Sequence, residues 1–413
     1  MVSIYFIGPY PPIMCGIADY TSFLARVCPA GQWGVLSFDL DRYGAPLVSS
    51  GVEATDRVWY GIPGRDGYSA PVIRQGLDEL GAENKNSVLW FQHEFGIWPD
   101  DEMFVAMLKG LDVPRVVTFH TLHFQSAESP SGLGHRQYEL LSMVLPYIEA
   151  ITVFSYGVYR AVISAFPEYC TKVYIIRHGV HSYPDVCNLS RREAKERLND
   201  FLLYHSGLDQ GTKEALEKQR VLLNMNTVVL GETGFLRPNK QSELLYYVRD
   251  RLQQVMPERD IVAVRVGSVR DASYSMYSQQ LYKEHDNRKK FLLETWLPPE
   301  IFPLTQRAFD INFHWPSECT QSGVLAHVLG AGAVVAGRDL EGVGETLKEA
   351  GQLMDTDLEQ VILKMKDIIV NPEIGKRVEE RTSNYAELFS WENQVRRHYE
   401  TAESILRILP LWA

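Results

Sequence analysis

Two Rossmann-like, doubly wound α/β domains facing a central cleft are the architecture this sequence predicts. Three observations carry it. Short strands that are apolar on both faces alternate with amphipathic helices through most of the chain. The alternation lapses once, near residue 185, and then resumes. The length, 413 residues, exceeds what one ordinary hydrophobic core serves.

The first series reads as strands over 2–8, 34–38, 57–61, 88–92, 115–120, 150–154 and 172–177, with helices near 17–27, 70–80, 101–110, 136–148 and 157–166. Gly179 and Pro184 break the chain at the lapse, where Gly179 is expected to supply a hinge conformation. The charged run over 190–222 is expected to be a solvated helical pair, broken at Gly207 and Gly211. A second series follows, with strands over 227–232, 260–267, 291–296, 308–315, 333–336 and 352–354. Its helices fall near 242–255, 274–285, 301–307, 321–329, 343–350 and 358–370, and amphipathic helices over 375–409 close the chain. The domains are therefore drawn as 1–185 and 186–390, followed by a helical segment over 391–413. Ligands of paired α/β domains bind at the carboxyl ends of the strands.

Composition narrows the function. Hydrophobic residues make up 45% and charged residues 23%, the balance of a globular protein. A net charge of -11 argues against a nucleic-acid binder, which needs a basic face for phosphates. No apolar run reaches membrane-spanning length, and the first residues, MVSIYFIG, read as a strand without a basic leader. The five cysteines contain no CxxC pair, which fits reduced thiols and a cytoplasmic setting. The pairs His120/His123 and His178/His181 lack a matching cysteine or carboxylate cluster, so no metal site is expected.

Several strand ends carry polar or glycine-rich stretches. Phe313 to Glu345 reads as strand, polar turn, helix and strand, followed by a glycine-rich turn ending in Glu345. Such a unit presents a helix N-terminus to an anion, with the N–H groups of Ser322 and Gly323 outward; an ordinary βαβ crossover is the competing reading. Gly16 opens a helix after the first strand, so its backbone could approach a phosphate, although no GxGxxG is present. His93 and Glu94, in Gln92 to Gly96, and His120 each follow an apolar strand. A structural histidine is the competing account for His93 and His123. In Gly231 to Gln241, Arg237 and Lys240 stand before a helix, the makings of a pyrophosphate clamp.

Together these stretches resemble the retaining glycosyltransferases of family 4. Pro11 to Thr21 is similar to PPxxCGIAxYT, and a subgroup carries QHEFG and PVVTxHT, matched by Gln92–Gly96 and Pro114–Thr121. His178–Val180 matches HGV, and Gly234–Gln241 matches GFxRPxKG except for its last glycine. Ser390-Trp391-Glu392 precedes the final helix, as in that family. The resemblance covers nearly the whole chain. It implies the glycosyltransferase-B fold, with the last helix crossing back onto the first domain. It also implies transfer of a hexosyl group, with retention, from a nucleotide diphosphate sugar of GDP-mannose or UDP-glucose type; the acidic balance of the chain favours a soluble sugar or glycoside as the acceptor.

Lys240 and Arg237 would then neutralise the diphosphate with the N–H groups of Ser322, Gly323 and Val324. Gly16 would approach the phosphates, and His120 the donor sugar. With the lysine in that role a divalent metal is not obligatory, and no cofactor beyond the sugar nucleotide is expected. Charge develops on the departing phosphate, so fixed cations there favour the transition state over the ground state. Membrane contact is not expected, since the chain is acidic and has no basic amphipathic helix.

The sequence departs from the family at Glu-x7-Glu. Thr320 stands at the first position and His327 or Val328 at the second, so Gln321 and Ser322 are candidates for the sugar hydroxyls. Glu345 matches the acid of a GGxxE-like turn, with the glycines shifted to Gly342 and Gly344. The missing carboxylates keep other readings open: an epimerase or sugar phosphorylase on the same fold, or a catalytically silent nucleotide-sugar-binding subunit.

Overall fold

The computed structural model describes residues 1–44, 46–47, 55–64, 66–224, 226–269 and 274–408. The chain divides into two compact units, Val180–Ser390 and a first unit that joins Met1–Gly179 to the helix Trp391–Ile408. The division thus falls six residues before the predicted boundary. Residue 409, where the last helix was expected to end, and residues 410–413 lie outside the described residues.

The first unit holds a parallel sheet of seven strands: β1 (Ser3–Ile7), β2 (Trp33–Phe38), β3 (Val58–Ile62), β4 (Ser87–His93), β5 (Arg115–Phe119), β6 (Ala150–Val153) and β7 (Val173–Ile175). Their order is β3-β2-β1-β4-β5-β6-β7. All seven residues of β4 are buried, because helices cover both faces. Alternate residues feed two cores: Tyr5, Leu89, Phe91 and Val117 on one face, Ile4, Phe6, Trp90 and Val116 on the other. The second face is covered by the helix Gly16–Val27 and by Trp391, Val395, Ala402 and Ile405 of the last helix. Gly179 meets this helix directly, since a Cβ there would stand 2.3 Å from the Trp391 ring. Its φ lies outside the left-handed region, so the hinge conformation expected of it is corrected: the residue is small because an indole packs against it.

The second unit holds β8 (Thr227–Thr233), β9 (Asp260–Gly267), β10 (Lys290–Glu294), β11 (Ile311–His314), β12 (Val335–Arg338) and β13 (Leu353–Asp355), all parallel, in the order β10-β9-β8-β11-β12-β13. β10 stops at Glu294, two residues short of the predicted end, and Trp296 is 57% exposed ahead of Pro298 and Pro299.

The helical pair expected to be solvated is not. Its helices, Arg191–Asp200 and Gln210–Gln219, are joined through a π-helical turn, Phe201–His205, and bury Ala194, Leu198, Phe201 and Leu216 in a core. Lys195 is only 2% exposed, with its ammonium 2.7 Å from Asp310 Oδ2. That oxygen also accepts the Val229 backbone N–H. A charged run conceals a buried face here because the lysine donates to Asp310, whose carboxylate the Val229 N–H also supports. Among the described residues no helix is long and apolar enough to cross a membrane.

Candidate active site

The sequence-predicted residues of the second unit gather at the carboxyl ends of β8 and β11. β8 ends at Thr233, and Gly234 then turns the chain with φ at +104°, a conformation that favours glycine. A short 3₁₀ turn, Pro238–Lys240, follows Arg237, and Gln241 adopts the left-handed conformation with φ at +52°. That is the position where the family pattern has its last glycine, and glutamine reaches the conformation with some strain.

Beneath the turn lies Arg265 of β9, wholly buried. It is the register partner of Glu232 on β8, and its Nε lies 3.3 Å from the Glu232 carboxylate. Nε donates to Ser242 Oγ, and Nη1 to the carbonyls of Glu232 and Val266. Nη2 donates to the carbonyls of Gly234 at 2.9 Å and Phe235 at 3.0 Å. Gly267 lets β9 press against the turn, since a Cβ there would lie 1.9 Å from the Gly234 carbonyl oxygen.

Lys240 reaches back over this floor and donates to the Thr233 carbonyl at 3.3 Å. A Cβ on Gly234 would stand 2.7 Å from Lys240 Nζ and 3.2 Å from Val324 Cγ2. Burial lowers the lysine pKa to about 8; Arg265 adds to the effect and Glu232 opposes it. Arg237 sets its guanidinium 6.0 Å from the centre of the Tyr274 ring.

The second wall is the turn after β11. Ser322 caps the helix Gly323–Gly330, its Oγ accepting the Leu325 N–H at 3.2 Å. The helix begins at Gly323, two residues later than predicted, because Ser322 is its cap. A Cβ on Gly323 would meet nothing within 4 Å, so the backbone there opens onto free space. The Cys319 thiol donates to the Gln321 carbonyl, and burial pushes its pKa up to about 12. Ser317 N–H donates to the Asn239 carbonyl at 2.9 Å and ties the two walls together. Two buried polar atoms, Arg237 Nε and Gln321 Oε1, make no hydrogen bond within the described residues. Orphaned polar atoms of opposite character on the two turns suit a ligand that both donates and accepts.

Lys240, Arg237, Thr320, Gln321, Ser322, Gly323 and Val324 thus belong to this one edge, whereas Glu345 does not sit in a turn. The helix expected over 343–350 runs from Glu341 to Glu349 and takes in the expected glycine-rich turn, with Glu345 half-buried on its second turn. Gly344 is small because a Cβ would stand 2.2 Å from Asp339 Oδ1. Of the two residues at the second Glu-x7-Glu position, Val328 is buried, and His327 stacks on His181 with ring centres 3.8 Å apart.

In the first unit, Gly16 opens its helix with Cys15 as a cap whose side chain makes no capping bond. Again a Cβ on Gly16 would meet nothing within 4 Å. His120 follows β5, 2% exposed, with Nε2 2.7 Å from Gln92 Oε1 and its ring edge-on to Tyr20 at 4.9 Å. Burial depresses its pKa to about 3, so the imidazole is neutral. His93 is caged by Phe95, Phe104 and Phe119, which supports the structural account of it. Glu94 accepts the Thr121 hydroxyl and the Phe95 N–H, and burial raises its pKa. Among the described residues no three of histidine, cysteine, aspartate and glutamate come together as a metal site.

Sequence reasoning missed Arg265 and Glu232. The signal was present: Glu232 and Arg265 are charges set among the buried apolar residues toward the carboxyl ends of β8 and β9.

No family model matches the chain, and no curated protein matches it. Solved structures do. HepE of Anabaena, in complex with UDP and glucose, shares 15% identity over 98% of this chain and 100% of its own, with a TM-score of 0.63. An α,α-trehalose-phosphate synthase (UDP-forming) from Burkholderia vietnamiensis shares 12% over 98% and 100%, with a TM-score of 0.67. A sucrose-phosphate synthase from Thermosynechococcus elongatus shares 13% over 99% and 100%, with a TM-score of 0.69. The chain has the glycosyltransferase-B fold. In that fold the unit with seven strands is the N-terminal domain, and the unit with six, which carries Lys240 and Ser322, is the C-terminal domain.

Proposed function

We propose that this protein is a glycosyltransferase that moves a hexosyl group from a nucleotide diphosphate sugar to a soluble sugar or glycoside, with retention at the anomeric carbon. The observation that carries this reading is the convergence on Gly234 of Lys240 Nζ and the Val324 side chain, one from each wall of the C-terminal edge. Lys240, Arg237 and the N–H groups at the start of the helix Gly323–Gly330 would hold the diphosphate and stabilise the charge it gains on departure. In this reading those groups take the part a divalent metal plays elsewhere. Gln321 Oε1 would accept from a sugar hydroxyl, and the neutral His120 and Gly16 are assigned to the donor sugar and the phosphates respectively. HepE with UDP and glucose, together with the UDP-forming synthase, supports a uridine nucleotide over a guanosine one.

The test is incubation of the chain with UDP-glucose or GDP-mannose and a panel of sugar acceptors, following nucleoside diphosphate release and product configuration by NMR. Release from one donor with a retained anomer is expected, unchanged by a chelator. A thermal-shift screen would name the donor first, since a ligand at 100 times its Kd stabilises by about 2.7 kcal/mol. A second reading, a nucleotide-sugar-binding subunit without turnover, is favoured by Thr320 and by His327 or Val328 at the carboxylate positions. Tight binding of a sugar nucleotide with no release under any acceptor would select it.

A further inference from the structure

The buried charges under the Gly234 turn ask for an explanation beyond stability. A buried ion pair exchanged for well-packed apolar residues is often neutral or more stable, so packing alone does not call for an arginine with no exposed surface. Arg265 is such a residue, and its hydrogen bonds go to the turn itself. One nitrogen, Nη2, holds both the Gly234 and the Phe235 carbonyls. Because each peptide is planar, fixing those two carbonyls fixes the orientation of the N–H groups on the opposite side.

We infer that Arg265, with Glu232 as its counter-ion, is a positioning residue of the proposed donor site: it holds the turn over which the Lys240 ammonium stands and sets the charge that ammonium meets. The inference rests on the functional reading above. The groups acting on Lys240 are Arg265 from β9, Glu232 from β8, Arg237 from its own turn and Cys319 from the loop after β11, while His314 of β11 in turn feels the lysine. Arg265 is the strongest of these charges and Glu232 the next, and they act in opposite directions.

The experiment is calorimetric titration of UDP and of GDP into the full chain from acid to alkaline pH, for the unaltered protein, R265Q and E232Q. Affinity of the unaltered protein falls as pH rises and Lys240 loses its proton. In R265Q, binding at neutral pH weakens by roughly tenfold, the loss of about one charge-assisted contact. Its alkaline loss moves to higher pH, because a like charge has gone. In E232Q that loss moves to lower pH. A merely structural role would move both limbs the same way or neither, and either result overturns the inference. Should a single variant fail to fold, R265Q/E232Q leaves no unpaired buried charge; its limb is expected above that of the unaltered protein, and an unmoved limb overturns the inference. If the unaltered chain binds neither UDP nor GDP, the functional reading falls and this inference with it. Binding with unmoved limbs removes the inference alone.

Discussion

Gly234 and Lys240 meet at the end of β8, where the lysine Nζ stands 2.7 Å from the place a Cβ on the glycine would occupy. Gly234→Ala therefore does two things. It strains a backbone at φ +104°, by about 1–3 kcal/mol, and it drives the ammonium off its seat. The melting temperature should fall modestly, while affinity for the nucleoside diphosphate, read by calorimetry, falls by roughly tenfold or more. A variant that melts early but binds normally would detach Lys240 from the site.

Lys240→Ala and Arg237→Ala should each reduce turnover by roughly ten- to a hundredfold, the worth of a charge-assisted bond. The lysine also sets a pH limit. Its pKa is about 8, held down by burial first and Arg265 second. Donor affinity should decline as pH rises through about 8, and Lys240→Met should show no such limb. A profile flat to pH 9.5 in the unaltered protein would contradict the assignment.

The N-terminal domain should be acid-labile. Burial lowers the pKa of His93 and His120 to about 3, and of His178 and His398 to about 4. Between those values and the ordinary 6.5, the unfolded chain binds protons that the folded chain refuses. Stability is therefore full above pH 6.5 and falls as pH drops toward 4. Melting curves taken from pH 7.5 to 5 should show a steady loss, and His398→Phe should lessen it.

Lys195 makes a prediction of a different kind. Removing one partner of a buried ion pair leaves the other uncompensated, at about 3–5 kcal/mol. Asp310→Asn should thus lower the denaturation midpoint sharply without changing nucleotide affinity, since Asp310 ties Lys195 to Val229 at the amino end of β8, opposite the site.

Much of the fold was legible because parallel strands are apolar on both faces. The runs SVLWFQH and TVVLGET stand out from their surroundings, and both are buried throughout. Arg237, Lys240 and Ser322 stood out as candidates because they fall at strand ends in polar turns. Elements whose meaning depends on a distant partner were not. Gly179 read as a hinge because the indole against it lies 212 positions further on in sequence, at Trp391. Lys195 read as solvated because Asp310 lies 115 positions away, and the helix over 341–349 read as starting two residues late because Gly342 and Gly344 look like a turn.

The helix Trp391–Ile408 has a bearing on how the molecule is made. It supplies one wall of a core whose other members all precede residue 180. On a ribosome adding about 5–20 residues per second, Trp391 appears roughly 10–40 s after Gly179. During that interval Phe6 and Trp90 lack their His398 partner, and the sheet face they occupy is covered only in part, by the helix Gly16–Val27, while Val180–Ser390 emerges as a compact unit. The later domain can finish folding first, and the earlier one waits, its seam open to chaperones, for the closing helix.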